Sequence, residues 1–348
     1  LTVRVAARRV STDRPGRRVT LAGSVVLLGV LLGVSLVAAV GLGPVDIPFL
    51  DVWRIVFATQ DAPSGPMAVI VRDIRLPRVL LGAIVGAGLA VTGAVLQGVL
   101  RNPLADPYLI GASSGASLGA VLALMSGLSW LLPVAAFTGA MVTFTVVLLL
   151  ARGGGQLGVT SLILSGVAVA ALAEAATNFI VLNSPDSQLR SALFWTLGGL
   201  SGTQWSDLPV PAIVVGIFVV WFRLRSAELN ALVLGEEGAT SLGVEVNRLR
   251  VRLVVGSAIT VGAVVSVSGG IGFVALMVPH AVRMVVGGDN RWVVPLSTLA
   301  GALLMVWVDV GARLLNQPDE IPIGVITALL GAPFFLVLLA RANRRAMA

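Results

Sequence analysis

The chain has 348 residues, 57% hydrophobic and only 12% charged, with a formal net charge of +7, no Lys and no Cys. Soluble domains carry about a quarter charged residues, so the composition excludes an ordinary soluble fold, and the lack of Cys excludes disulfides and thiol chemistry. In so apolar a chain the Arg excess reads as loops held on the cytoplasmic side of a membrane rather than as a nucleic-acid footprint, and no nucleic-acid partner is expected.

Taken in order, residues 1–19 form a basic tail with six Arg. The uncharged stretch from Leu21 to Gly43 is longer than the core of a signal peptide, about 7–15 residues, and is read as a retained first span at 20–43. A polar loop with four Pro occupies 44–76, and a second span follows at 77–100. The break Arg101-Asn102-Pro103-Leu104-Ala105-Asp106-Pro107 leads to spans at 108–126 and 130–151, and the Gly153-Gly154-Gly155 loop to one at 160–182. Residues 183–207 are polar and Gly-rich, with a short interfacial helix expected around Trp195. A sixth span at 208–223 precedes a charged loop at 224–249. Spans at 250–267 and 271–286 are separated by Ser268-Gly269-Gly270, and spans at 292–314 and 322–340 complete the chain before a tail at 342–348.

Each stretch approaches the roughly 20 apolar residues that a helix needs to cross a hydrocarbon core. Backbone groups in lipid must bond within their own segment, and the two-residue period of a barrel is absent, so the spans are helices. The expectation is an all-α polytopic protein with about ten transmembrane helices, a single permease-like domain over 20–341. With both termini placed inside, 18 of the 24 Arg fall on the cytoplasmic side and six on the other. That bias fits the positive-inside rule.

Catalytic chemistry is poorly served. With no Lys there is no Walker A loop. A single His, His280, cannot build a His metal cluster, and no nucleophile elbow accompanies it. No enzymatic activity and no cofactor bound by this chain are expected. Two acids lie inside predicted spans, where acids commonly mark functional sites. Asp309 precedes Arg313 by four residues, a spacing that favours an ion pair on one helix face. Glu174 is flanked by Ala and would bind a coupled proton or face a water-filled path. It motivates a second reading as a proton-coupled secondary transporter.

Several ordered motifs resemble the permeases of the iron-siderophore, haem and cobalamin ABC importers. They are Arg75-Leu76-Pro77-Arg78, the break at 101–107 with Gly93 and Gln97 before it, and Leu109-Ile110-Gly111 with Ser114-Gly115-Ala116. The loop from Leu232 to Val244, the block Ser268-Gly269-Gly270-Ile271-Gly272-Phe273-Val274 with Pro279-His280 and Arg283, Glu320-Ile321-Pro322-Ile323-Gly324-Val325 and Gly331-Ala332-Pro333-Phe334-Phe335 complete the set.

The resemblance implies a type II importer permease in the cytoplasmic (inner) membrane of a bacterium, paired with a second copy or a close paralogue around a central path. Two ATP-binding subunits, which carry the ATP and Mg, would bind the cytoplasmic face. A substrate-binding protein would dock outside, with an iron-siderophore complex as first cargo and haem or cobalamin as alternatives. It further implies docking of that protein by Arg75, Arg78 and Arg313, through forked pairing of guanidinium with carboxylate. The ATPase-coupling loop would include Leu234, Gly235, Glu236, Glu237, Ala239, Leu242 and Gly243, with a short helix there. The path and its inner gate would include Gln97, Asn102, Val159 and Thr160.

Overall fold

A computed structural model describes residues 15–45, 47–57, 63–153 and 156–347. Among them the chain is a bundle of fourteen helices: α1 (Pro15–Gly41), α2 (Phe49–Val56), α3 (Pro66–Val99), α4 (Ala112–Met125), α5 (Leu132–Ala151), α6 (Val159–Leu182), α7 (Asp186–Leu197), α8 (Pro209–Leu224), α9 (Ser226–Val233), α10 (Glu236–Ser241), α11 (Val246–Ser268), α12 (Val274–Val286), α13 (Asn290–Leu314) and α14 (Ile323–Met347). Seven of these are long and apolar enough to cross a membrane, and α4, α12 and α14 are shorter apolar helices in the positions of the other three expected spans. The ten spans therefore stand, as does the interfacial helix around Trp195, which is α7.

Two loops hold more structure than expected. The polar loop contains α2, which buries Val52 and Ile55 on one face. The second span starts at Pro66 rather than 77, through a π-helical segment at Ile70–Arg75. Pro77 cannot donate to the carbonyl of Asp73, and the wider hydrogen-bond spacing just before it absorbs the missing bond. The charged loop contains α9 and α10, and α11 begins four residues early at Val246.

α3 is the central post, buried on nearly all sides from Val85 to Val99, with α11, α12 and α13 packed around it. Small residues make this possible. A Cβ at Gly86 would overlap the Gly301 carbonyl of α13, and one at Gly301 would overlap Gly86 in return. Gly93 meets the Ala275 carbonyl of α12 in the same way. Lipid offers little hydrophobic drive for helix association, so close backbone approach supplies the packing. Gly86→Ala forces α3 and α13 apart. We expect it to lower the stability of the protein in nanodiscs by about 1–3 kcal/mol, the range of core overpacking, read from its thermal denaturation. α1, α5, α6 and α8 form the periphery, with broad apolar faces exposed.

At one end of the bundle three chain breaks interlock. The Gly199 N–H donates to the Ser268 carbonyl at 2.9 Å, and the Ile323 N–H to the Gly198 carbonyl at 2.9 Å. The end of α7, the α11–α12 break and the start of α14 thus form one backbone-to-backbone junction. A Cβ at Gly324 would overlap the Leu197 carbonyl, so the approach needs Gly.

Candidate functional site: an outer ion cluster and an inner coupling clamp

The N-terminal half of α3 and the C-terminal half of α13 carry a linked set of charges. Asp309 is fully buried, and each of its carboxylate oxygens accepts from a different Arg: Oδ1 from Arg78 Nε at 2.7 Å and Oδ2 from Arg313 Nε at 3.0 Å. The fork of Arg78 then closes on Glu320, with Nη1 to Oε1 at 2.7 Å and Nη2 to Oε2 at 3.0 Å. The Ser201 hydroxyl donates to Glu320 as well. Burial alone would push Glu320 up, but Arg78 and Ser201 outweigh it and hold the carboxyl below its ordinary range.

Arg313 also donates to the Leu42 carbonyl at 2.6 Å and the Ala39 carbonyl at 3.1 Å. Arg75 caps the end of α1, donating to Val40, Gly41 and Val45 carbonyls at 3.1, 2.8 and 2.5 Å. The Asp309–Arg313 pair expected from the four-residue spacing is present. Arg75, Arg78 and Arg313, the three residues expected at a docking face, are all buried and engaged by acceptors of their own chain. Among the charged residues of this cluster Glu320 is the most exposed, at 35% of its side chain, next to the exposed Ser201.

Near the opposite end of α3 the expected short helix forms as α10, with Glu236 and Glu237 in its first turn, where carboxylates suit the helix dipole. Gly235 and Gly243 bracket it with φ of 98° and 78°, values that favour Gly. Ala239 is buried, while Leu234 and Leu242 are 68% and 64% exposed.

Beneath α10 lies a clamp that the motifs did not single out. Arg250 of α11 donates to the Leu157 carbonyl at 2.8 Å and to Glu236 at 2.6 Å. Asn247 accepts from the Leu157 N–H at 2.9 Å. Leu157 stands two residues before α6, so Arg250 links α10 directly to the start of α6. The Arg250 guanidinium beside Glu236 holds that carboxyl below its usual range. The sequence placed Arg250 at the very start of the 250–267 span, and the earlier start of α11 at Val246 sets it a full turn inside the helix.

The gate residues separate. Val159 and Thr160 lie in the first turn of α6, with Thr160 exposed. Asn102 accepts from the Leu104 N–H at 2.9 Å and so shapes the break after α3. Gln97 is buried and donates to the Leu276 carbonyl of α12 at 3.0 Å. That bond pins α3 to α12 at the residue expected on the path. His280 sits against the rings of Phe334 and Phe335, with centroids 6.2 and 6.1 Å away.

The FecCD transport family profile matches residues 31–341. The chain is 47% identical over 283 residues to the cobalamin import system permease protein of Halobacterium salinarum, covering 80% of this chain and 75% of that one. It is 42% identical over 332 residues to the hemin transport system permease protein of Yersinia pestis, covering 90% and 95%. Among solved structures, a metal-chelate type ABC transporter in an inward-facing conformation aligns with a TM-score of 0.81 at 33% identity, covering 91% of this chain and 98% of that one.

Proposed function

The chain belongs to the FecCD transport family and is the transmembrane permease of an ABC importer, and from that premise we propose how it works and what it carries. Two copies, or one copy and a close paralogue, line a path for a metal chelate across the cytoplasmic membrane, with both termini inside. This chain moves the cargo and leaves ATP hydrolysis to two separate ATPase subunits, while an external binding protein delivers the cargo. The observation that carries the reading is the match over residues 31–341, nearly the whole set of spans.

The relatives at 47% and 42% identity are named for cobalamin and hemin. A metallated tetrapyrrole is therefore the first cargo to test, with a ferric siderophore second. Proteoliposomes holding this chain, its ATPase and its binding protein should take up the cargo only when all three and ATP are present. Uptake driven by a pH gradient without ATP would overturn the importer reading in favour of the proton-coupled one.

On the inner face, the exposed Leu234 and Leu242 flank α10 and offer apolar contact to an ATPase groove. The native chain has no Cys, so single thiols report cleanly. Leu234→Cys, Glu237→Cys and Leu242→Cys should each crosslink to thiols placed in the ATPase groove. Failure at all three would refute the coupling role. On the outer face, docking through Arg78 is proposed as an exchange of carboxylates. A partner acid replaces Glu320 on the Arg78 fork, while Arg75 and Arg313 brace the rim beneath. Val159 and Thr160, at the start of α6, are proposed as the inner gate, with Asn102 shaping the break beside it.

A further inference from the structure

α6 carries one charged residue, Glu174, which lies about 22 Å along the helix at 1.5 Å per residue. That depth is well inside the span, and the side chain is exposed in the single chain. A carboxylate turned to lipid at such depth is expensive, and intramembrane acids face water, a partner or a cavity instead.

Glu174 opens on a cavity of about 310 Å³ between α4, α6 and α7, and eight of its eleven lining residues have polar side chains. Ser114 and Ser117 come from α4, Asn178 stands one turn beyond Glu174 on α6, and Thr196 comes from α7. The Tyr108 hydroxyl, shut away at one wall beside Ser113, closes no hydrogen bond of normal geometry. Nothing in the packing of the fold requires this polarity. The neighbouring groove between α4 and α5, lined by Leu118, Leu122, Val134 and Val142, is apolar, as a lipid-facing surface should be.

We propose that Glu174, with the hydroxyl and amide groups around it, is a subsite in the path that accepts cationic groups and N–H donors of the passing cargo and disfavours anionic ones. The donor set is a carboxylate with oxygen acceptors, which suits an ammonium or an amide N–H. At about 310 Å³ the cavity suits a side arm of a chelate rather than a whole one. The assignment to a transport path rests on the importer reading, whereas the charge preference of the cavity does not.

The test uses Asn178→Cys in the otherwise Cys-free chain, reconstituted in nanodiscs without ATPase or binding protein. Its rates with a trimethylammonium and a sulfonate methanethiosulfonate reagent are compared, each relative to a free thiol. The cationic reagent is itself the probe of the ligand class. It should react at least about tenfold faster than the anionic one, and adding Glu174→Gln should bring the ratio close to unity. A ratio unchanged by Glu174→Gln overturns the proposal. So does a thiol that reacts with a lipid-soluble maleimide and with neither charged reagent, or with nothing. Uptake by the wild-type three-component system fails or succeeds separately, so loss of the importer reading is distinguishable from loss of this site.

Discussion

Asp309→Ala should be the most destabilising single change at the outer face, by about 3–5 kcal/mol, the cost of breaking a buried ion pair by removing one partner. The carboxylate is fully buried and holds Arg78 through one oxygen and Arg313 through the other. Removing it leaves two buried guanidinium groups facing each other. Arg313 keeps two carbonyl acceptors on α1 and Arg78 keeps Glu320, but neither neutralises the shared space. The measurement is thermal denaturation of the purified protein in nanodiscs, with recovered yield as a second readout. Glu320→Gln tests the same cluster at its partly exposed edge, and solvent screening should limit its cost to about 1 kcal/mol or less. A triple change, Arg78→Met with Asp309→Leu and Arg313→Met, removes the three buried charges at once, leaves only the partly exposed Glu320, and should recover most of the loss. An Asp309→Ala protein as stable as wild type would mean that water already reaches the cluster.

The cluster also shows where sequence reading succeeded and where it stopped. The spans were legible because lipid imposes one rule on every segment, a long uncharged run with internal hydrogen bonds. The Asp309–Arg313 pair was legible because a four-residue spacing is local. The partner of Arg78 was not, since Glu320 lies 242 residues away, on the connection between α13 and α14, and the packing of α3 against α13 brings them together. The surroundings of Gln97 were hidden in a related way: the direction of a polar residue near the end of a span depends on which helix covers it, and Gly93 lets α12 come close enough to meet Gln97.

Sequence periodicity also hid a short helix. α2 has eight residues, too few for a period to stand out from loop composition, whereas the six-residue α10 was expected from the spacing of small residues within the 232–244 motif. Arg250 lay beyond either signal, because its role depends on Leu157, a backbone carbonyl that no side-chain identity encodes.

Arg250→Met should uncouple the two ends of the inner face. In the proposed importer, α10 contacts the ATPase and α6 carries the gate and Glu174. Arg250 is the side chain that holds both, through one bond to Glu236 and one to the Leu157 carbonyl. Hydrogen bonds to a charged group contribute about 1.5–3 kcal/mol each, and 1.4 kcal/mol is a factor of ten. Uptake in the three-component proteoliposomes should therefore fall about tenfold or more. ATP hydrolysis stimulated by the binding protein should persist, because α10 itself is still bracketed by Gly235 and Gly243 and packed through Ala239. Glu236→Gln weakens only the exposed half of the clamp and should cost uptake about two- to threefold. Asn247→Ala removes the second hold on Leu157, and because it shares that partner with Arg250, the double variant should lose less than the product of the two single losses. Uptake and hydrolysis falling together would assign Arg250 to ATPase docking instead, and unchanged uptake would mean that motion reaches α6 by another route.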